Sequence, residues 1–405
     1  MQKSLHPEPQ KPQMTGLLLC LLGFISMAGA LSVDMYLPSF GNIASDLSAH
    51  PSSVQLTLTA FMAGVGIGQL FHGVVSDRVG RRRVVVPALA VFFVSTLAIV
   101  FVPNIELFIG LRLVQGLSAA AAVVISRAIV VDISDPKTAV KSLSMLAMVS
   151  SLGPLIAPLI GGPIAAVANW RAVLVALTVI AATMFVAVLL LLPESLLPEN
   201  RQRGPILNAY KPLLQLLKQP RYTAFILVFA LSFGGLMSYI SASSFVAQSM
   251  LRANELQYAI GFAISAAAIL IGNLINSRIA PRVGPFKMLV IGSAIALTAV
   301  ALLVLQTALG VLSVVSFVAN AFLLVFGNSF VGSNASALAL AETKPYNRGS
   351  GAALMGSLQL LIGASITPLV GLGGEHTAVP MLICLAACAL ASFGCALYGS
   401  RQPRG

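Results

Sequence analysis

Twelve runs of mainly apolar residues, each long enough to cross a lipid bilayer as a helix, constrain this chain more than any other feature. A spanning helix needs about 20 apolar residues. Of the 405 residues, 58% are hydrophobic and 9% are charged, whereas soluble domains carry about 25% charged residues. We therefore expect an all-α membrane protein, and we exclude a soluble enzyme, a disordered scaffold and a secreted disulfide protein. The runs, numbered here as spans 1 to 12, lie at residues 15–38, 51–75, 84–103, 105–131, 139–167, 170–192, 222–247, 255–280, 286–306, 308–340, 349–372 and 377–399.

The basic residues predict how these spans are oriented. The net charge is +12, from 24 Lys and Arg against 12 Asp and Glu. If the N-terminus is cytoplasmic, 20 of the 24 basic residues lie in cytoplasmic segments, and two, Arg171 and Arg252, lie in outer loops. Cytoplasmic loops of membrane proteins carry such an excess. We therefore predict that both termini are cytoplasmic, and we interpret the charge as a topology signal with no nucleic-acid partner.

A long hydrophilic connection divides the chain into two halves of six spans. We predict a disordered cytoplasmic tail at 1–14, an N-terminal six-helix half at 15–192, a cytoplasmic linker at 193–221, a C-terminal six-helix half at 222–399 and a cytoplasmic tail at 400–405. Two parallel halves in one chain are a known transporter plan.

A short sequence repeat, present once in each half, indicates that the two halves arose by duplication. The segment Asp77-Arg78-Val79-Gly80 follows span 2, and Pro281-Arg282-Val283-Gly284 follows span 8 at an offset of 204 residues. The pair Gly68-Gln69 and the pair Gly272-Asn273 share that offset. We therefore expect pseudo-symmetric halves.

The turn between spans 2 and 3 contains glycines and an acidic residue that a basic cytoplasmic loop does not need for its orientation. Gly80 permits a positive φ where the chain reverses, and Asp77 at a helix end can hold a neighbouring helix through charge and dipole. The spacing of Gly73, Asp77, Arg78, Gly80 and Arg81 resembles the loop signature of the major facilitator superfamily.

Two further motifs extend this resemblance. In span 4, Arg112, Gln115 and Gly116 are similar to the superfamily's Arg-x-x-Gln-Gly motif. Span 5 resembles the Gly-Pro motif of its antiporters, through Gly153, Pro154, Ala157, Pro158, Gly161 and Gly162. With the ends of spans 1, 4 and 6, these residues resemble the bicyclomycin/chloramphenicol-resistance (Bcr/CflA) group of drug:proton antiporters. The resemblance implies the major facilitator fold and proton-coupled efflux of small amphipathic drugs across a bacterial inner membrane by alternating access.

Two ionisable residues lie deep in spans. An ionised side chain near the bilayer centre costs about 2.5–3.5 kcal/mol on insertion scales, so Asp34 and Arg112 need a partner or water. Their positions in spans 1 and 4 place them at similar depth, so we expect them to face each other or to share one cavity. We interpret Asp34 as the proton carrier and Arg112 as a modulator; a static ion pair is the structural alternative.

Other residues are candidates for conformational control. We expect Arg127 and Asp132 of span 4 to join Asp77 and Arg78 in a charge cluster that latches one state of the transport cycle. A purely structural role at the membrane interface is the alternative. The small residues and prolines of span 5 allow close helix approach and bending, which favours a moving interface over packing alone.

The alternatives to drug efflux are a transporter of a specific metabolite, such as a nucleoside or sugar, and a channel or receptor. A sugar cavity is typically rich in Asn, Gln and Trp, whereas Trp170 is the sole Trp. We expect no enzymatic activity, no metal site and no cofactor, with transport driven by the proton gradient. The expected partners are protons, lipid and a small amphipathic substrate, and one chain holding both halves predicts a monomer.

Overall fold

The computed structural model describes residues 14–134, 139–201, 211–343, 348–374 and 377–402. Residues 1–13 of the predicted N-terminal tail, the last three residues of the chain and the middle of the linker lie outside these ranges. So do six of the basic residues that predicted the orientation: Lys3, Lys11, Lys137, Arg203, Lys344 and Arg404. Within the described ranges the chain is helical without strands, and twelve segments are long and apolar enough to span a membrane.

Eight spans are single α-helices. They are Pro51–Val79 (span 2), Arg81–Val100 (span 3), Ile105–Ile133 (span 4), Trp170–Leu191 (span 6), Glu255–Val283 (span 8), Pro285–Ala308 (span 9), Val314–Ala341 (span 10) and Val379–Arg401 (span 12). Span 7 is the helix Pro220–Phe245, which continues as a π-helical turn, Val246–Met250. Span 11 is Arg348–Val370 followed by a 3-10 turn, Gly371–Gly373.

Spans 1 and 5 are interrupted. Span 1 consists of Gly16–Ser26, Ala28–Asp34, the 3-10 turn Leu37–Ser39 and Phe40–Asp46, so it extends beyond the predicted apolar run. Span 5 consists of Ala139–Ser150 and Gly153–Val167. The second part of span 5 begins at the Gly153-Pro154 pair, and Pro is well tolerated in the first turn of a helix. It also contains Pro158 and Pro163 in its interior, where proline removes a backbone hydrogen bond and favours a kink. The linker contains the 3-10 turn Pro198–Asn200 and the helix Lys211–Leu217.

The residues of the sequence repeat have equivalent geometry in the two halves. Gly80 and Gly284 each end one span and cap the next, with φ of +121° and +94°. A Cβ on Gly68 would lie 2.6 Å from the Leu117 oxygen in span 4, and a Cβ on Gly272 would lie 2.0 Å from Ser329 Oγ in span 10. Both glycines therefore allow the second and fourth spans of a half to pack closely.

The bundle has two ends, named here by their residues. The basic end carries the Gly80 and Gly284 turns, and the distal end carries the connections 47–50, 101–104 and 251–254. Three hydrogen bonds join the halves towards the distal end. Gln248 Nε2 donates to Pro38 O at 2.9 Å, Gln55 Nε2 donates to Ser241 O at 3.2 Å, and Asn42 Nδ2 approaches Glu255 Oε1 at 3.5 Å. The halves therefore meet at the distal end in this conformation.

Candidate functional site

A central cavity of about 300 Å³ lies between the two halves. Spans 1, 2, 4 and 5 line it from one half, and spans 7, 8, 10 and 11 from the other. Its walls are mainly apolar, with Phe61, Met62 and Val65 facing Phe233, Met237 and Phe262. Among the described lining residues, Asp34 is the sole carboxylic acid, and none is a Lys, Arg or His.

Asp34 combines burial with the lack of a counter-ion. It is the last residue of the helix Ala28–Asp34, it is 4% exposed, and it forms no ion pair within the described chain. Tyr239 lines the same cavity and supplies a hydroxyl to its otherwise mainly apolar wall. A buried carboxylate without a cation is costly in its ionised form, so a proton or a cationic ligand would stabilise this site.

Arg112 lies in a separate polar cluster behind the cavity wall. It is 1% exposed, and its guanidinium donates to Gln115 Oε1 at 2.6 Å, to the Tyr36 hydroxyl at 3.2 Å and to Thr57 O at 3.4 Å. Its Cζ lies 4.3 Å from the ring centroid of Phe61, a residue that lines the cavity. The structure thus shows neither expected arrangement, because Arg112 does not line the central cavity and makes no ion pair with Asp34 among the described residues. The cation is held by neutral acceptors and aromatic faces.

The polar cluster connects four spans of the N-terminal half. Gln115 Nε2 donates to Thr96 Oγ1 at 2.8 Å in span 3, and Tyr36 and Thr57 share a hydrogen bond of 2.8 Å between spans 1 and 2. Gly116 allows this proximity, because a Cβ there would lie 2.0 Å from the Phe61 oxygen. The span 4 motif therefore fixes the N-terminal wall of the cavity.

The small residues of span 5 lie at two helix interfaces. A Cβ on Gly153 would lie 2.9 Å from Ala30 Cβ, and one on Gly161 would lie 1.8 Å from the Met35 oxygen, so both glycines contact span 1. A Cβ on Gly162 would instead lie 2.3 Å from Ala259 Cβ in span 8, in the other half. Pro154 lines the cavity, while Ala157 and Pro158 are buried. The span 5 motif therefore lies where span 1 and the opposite half meet.

Four charged residues and one serine form what we call the basic-end cluster: Asp77, Arg81, Asp132, Glu194 and Ser195. Arg81 is its centre. The Arg81 guanidinium pairs with Asp77 and donates to Asp132 Oδ2 at 2.9 Å, and its backbone N–H donates to Glu194 Oε1 at 2.9 Å. Ser195 Oγ donates to Asp132 Oδ2 at 3.1 Å. The cluster joins spans 2, 3 and 4 to the segment that follows span 6.

The expected membership of this cluster needs a correction. Arg127 is exposed and makes no ion pair with Asp132 in the described structure. Residues five apart on a helix do not share a face, whereas those three or four apart do. Arg78 is half-buried. A Cβ on Gly73 would lie 3.5 Å from Val124 Cγ1, an ordinary van der Waals contact, so packing there does not require glycine.

Several contributing residues were not selected from the sequence. Glu194 and Ser195 belong to the basic-end cluster, and Tyr36 holds Arg112. In the C-terminal half, Arg221 Nε pairs with Glu342 Oε1 at 2.7 Å, with both side chains largely buried. Glu342 follows span 10 just as Asp132 ends span 4. This equivalent position in the other half is the sequence feature from which Glu342 could have been selected.

Comparisons with known proteins agree with this architecture. Residues 19–368 match the Major Facilitator Superfamily. An uncharacterized MFS-type transporter of Bacillus subtilis is 35% identical, over 89% of this chain and 90% of its own length. A bicyclomycin resistance protein homolog of Haemophilus influenzae is 33% identical over 93% and 94%. Multidrug resistance protein D of Escherichia coli is 27% identical over 84% and 85%.

Solved structures with low sequence identity share the fold. A mutant of the nucleoside transporter NupG has a TM-score of 0.72 at 15% identity, covering 95% of this chain and 98% of that one. An inward-facing bacterial homolog of the lysosomal transporter Spinster has a TM-score of 0.67 at 14% identity, covering 95% and 94%.

The fold and the central cavity define a multi-pass membrane transporter, and the family is one of transporters rather than enzymes. The chain belongs to the Major Facilitator Superfamily.

Proposed function

We propose that this protein is a proton-coupled antiporter that exports small amphipathic compounds from the bacterial cytoplasm across the inner membrane. The observation that carries the proposal is Asp34, a buried carboxylate without a counter-ion, in the wall of an apolar cavity between the halves. Its relatives with bicyclomycin and multidrug resistance in their names support drug export.

Competition at Asp34 is the proposed coupling step. The carboxylate is stabilised by a proton or by a cationic group of the substrate. Protonation removes its negative charge, so the proton and the cationic group compete for the site. A proton that enters from outside displaces the substrate, and release of that proton to the cytoplasm prepares the next export cycle. Arg112 is held 3.2 Å from the Tyr36 hydroxyl, so it acts on Asp34 through the local field and the position of span 1.

The walls of the cavity favour amphipathic compounds over sugars. Phe61, Phe233, Tyr239 and Phe262 present aromatic surfaces, and Gln69 is the one carboxamide among the described lining residues. The single Trp lies elsewhere, because Trp170 is buried against Phe108 with ring centroids 6.0 Å apart. Aromatic faces bind apolar rings and cations, whereas a sugar needs several fixed hydrogen-bond partners.

The small residues of span 5 and the charged residues of the basic-end cluster are arranged as an alternating-access transporter requires. We propose that the basic end is cytoplasmic, that the Gly161 and Gly162 contacts and the distal hydrogen bonds close the outer side, and that the basic-end cluster stabilises one state. The protein works as a monomer without a cofactor, since one chain supplies both halves and the proton gradient supplies the driving force.

A transport assay in inverted membrane vesicles tests this function. With the vesicle lumen acidified, addition of an exported cationic or neutral amphipathic compound should dissipate the proton gradient, as followed with a pH-sensitive dye. Vesicles that carry Asp34→Asn provide the comparison. An equal response with both proteins, or no response to a broad panel of compounds, would contradict proton-coupled export.

A further inference from the structure

A second cavity, of about 380 Å³, lies at the basic end between spans 3 and 6. Three arginines, Arg82, Arg83 and Arg201, form its polar part together with Glu194. Val86, Pro87 and Leu189 form an apolar wall that continues along the spans. None of its lining residues lines the central cavity, so this is a separate site.

The charge in this cavity is unbalanced. Three arginines against Glu194 give a net charge of 3 − 1 = +2. One oxygen of Glu194 is already used, since Oε1 accepts from the backbone N–H groups of Arg81 and Leu196 at 2.9 and 3.1 Å. The Nε groups of Arg82 and Arg201 are buried and have no hydrogen-bond partner in the described chain. Glu194 Oε2 is also buried without a partner, and Arg82 Nη2 donates to Leu189 O at 2.7 Å. Each guanidinium carries five N–H donors, so the donors of the three arginines still outnumber these acceptors, and unpaired buried donors are unfavourable.

The cavity lies beside an exposed apolar surface of spans 3 and 6, of the kind that faces lipid in a membrane protein. Span 3 packs against spans 4 and 6 of its own half, and the remaining face of this pair exposes large apolar side chains, including Val94 at 59% and Leu190 at 74%. Arg82 and Arg83 also lie in the first turn of the helix Arg81–Val100. Free N–H groups and the helix dipole at such a terminus attract phosphate.

We propose that this cavity binds the headgroup of an anionic phospholipid. The phosphate is held by Arg82, Arg83 and Arg201, and an acyl chain follows Val86, Pro87 and Leu189. Basic pockets between spans are suited to such headgroups. A soluble phosphate shares the headgroup chemistry but leaves the apolar wall unused.

Occupancy of the site is linked to the basic-end cluster. Arg81, the centre of that cluster, precedes Arg82 in the chain, and its backbone N–H donates to Glu194, which also lines the cavity. A bound phosphate neutralises the arginines that face Glu194, and it therefore changes the electrostatic environment of the cluster. Lipid binding at this site does not depend on which substrate is transported.

Native mass spectrometry of the full chain tests the site. Protein in detergent is equilibrated with a mixture of phosphatidylglycerol and phosphatidylcholine, and the retained lipids are counted. We expect preferential retention of phosphatidylglycerol by the wild type. The variant R82Q/R201Q should retain it about 25-fold less, from about fivefold for each arginine. The matched control R278Q/R282Q removes two exposed arginines from span 8, at the same end of the other half, and should change retention less than twofold.

Two further measurements distinguish lipid binding from misfolding of the variant and from binding of a soluble anion. Thermal unfolding in phosphatidylcholine alone should be the same for R82Q/R201Q and the wild type, which shows that the variant folds. Excess glycerol phosphate should leave lipid retention unchanged. The proposal is overturned if R82Q/R201Q retains phosphatidylglycerol like the wild type, if the control loses as much, or if glycerol phosphate competes fully and marks a site for soluble anions. Should R82Q/R201Q fail to fold, R83Q is measured in its place and must lower retention about fivefold.

Discussion

The Tyr36 hydroxyl accepts a hydrogen bond from the Arg112 guanidinium at 3.2 Å, two positions along the chain from the cavity residue Asp34. Residues two apart in a helical conformation point in different directions, so Asp34 faces the cavity while Tyr36 faces span 4. Arg112, the cation predicted at the same membrane depth as Asp34, is therefore bound by the neutral hydroxyl of Tyr36. The Asp34 carboxylate remains available for a ligand.

Replacing the carboxylate should separate binding from coupling. Asp34→Asn resembles a permanently protonated carrier, so it should still bind a neutral amphipathic substrate but lose uphill export. Binding in detergent and pH-driven efflux in vesicles measure the two properties. Asp46→Asn is the matched control, because Asp46 belongs to the same span but pairs with Arg171 at the distal end. Full uphill efflux of a neutral substrate by Asp34→Asn would show that another group carries the proton.

Loss of charge in the basic-end cluster should impair transport more than folding. Asp77→Asn removes one charge-assisted contact with Arg81 and keeps the shape of the side chain, with an expected cost of about 1–3 kcal/mol in the state that the cluster stabilises. Transport rate and protein level are measured together, with Glu106→Gln at the exposed distal end of span 4 as the control. Equal falls in both quantities for Asp77→Asn would assign Asp77 to folding or insertion instead.

The two adjacent glycines of span 5 should respond differently to a methyl group. Gly161→Ala places Cβ 1.8 Å from the Met35 oxygen within one half, and Gly162→Ala places it 2.3 Å from Ala259 Cβ across the halves. We expect Gly161→Ala to lower the yield of folded protein, and Gly162→Ala to fold but to transport about tenfold more slowly, because overpacking costs about 1–3 kcal/mol.

Size-exclusion chromatography and vesicle transport measure these two effects. Gly110→Ala is the control, since no atom lies within 4 Å of its added Cβ, and it should be neutral or slightly stabilising. Wild-type transport by Gly162→Ala would mean that the distal ends of the halves do not need to approach this closely.

The hydrogen bonds between the halves should set the population of the distal-closed state. Gln248→Leu removes the bond to the Pro38 oxygen and should lower this population about fivefold, because a net hydrogen bond contributes about 1 kcal/mol. Spin labels at Ser45 and Leu256 report the distance between the distal ends. Gln306→Leu removes a bond of similar length, 2.9 Å to Asn320, within the C-terminal half, and should leave the distance distribution unchanged. An unchanged distribution for Gln248→Leu would contradict the assignment.

The proposed topology rests on the distribution of basic residues and has a direct test. A cysteine added after Gly405 should not react with an impermeant thiol reagent outside intact cells, whereas Ser48→Cys at the distal end should react, in a background without the four native cysteines. The opposite pattern would reverse the proposed orientation.

The sequence predicted the family, the number of spans and the pseudo-symmetry, because apolar length and glycine spacing are local properties of the chain. It did not predict the partners of Arg112, since two residues at equal depth face each other only if their helices are rotated accordingly. Depth is encoded by position along one span, whereas rotation is set by packing, here by contacts such as Gly116 against the Phe61 oxygen.

The basic-end cluster illustrates the same limit. Asp77 and Arg81 are four residues apart and belong to one recognisable motif, whereas Glu194 approaches Arg81 from 113 positions away. Such a contact depends on where span 6 returns the chain to the basic end. Glu342, which follows span 10 as Asp132 ends span 4, was not selected from the sequence, and neither was its partner Arg221 at the start of span 7.

The distal hydrogen bonds have an evolutionary consequence. Gln248 and Gln55 both donate to main-chain oxygens, those of Pro38 and Ser241, and every residue type supplies such an acceptor. Side chains on the acceptor side can therefore be substituted without loss of these two hydrogen bonds between the halves. A transporter of this family can in this way change cavity-lining side chains such as Tyr239 and Ile240 while the hydrogen bonds between its halves are inherited unchanged.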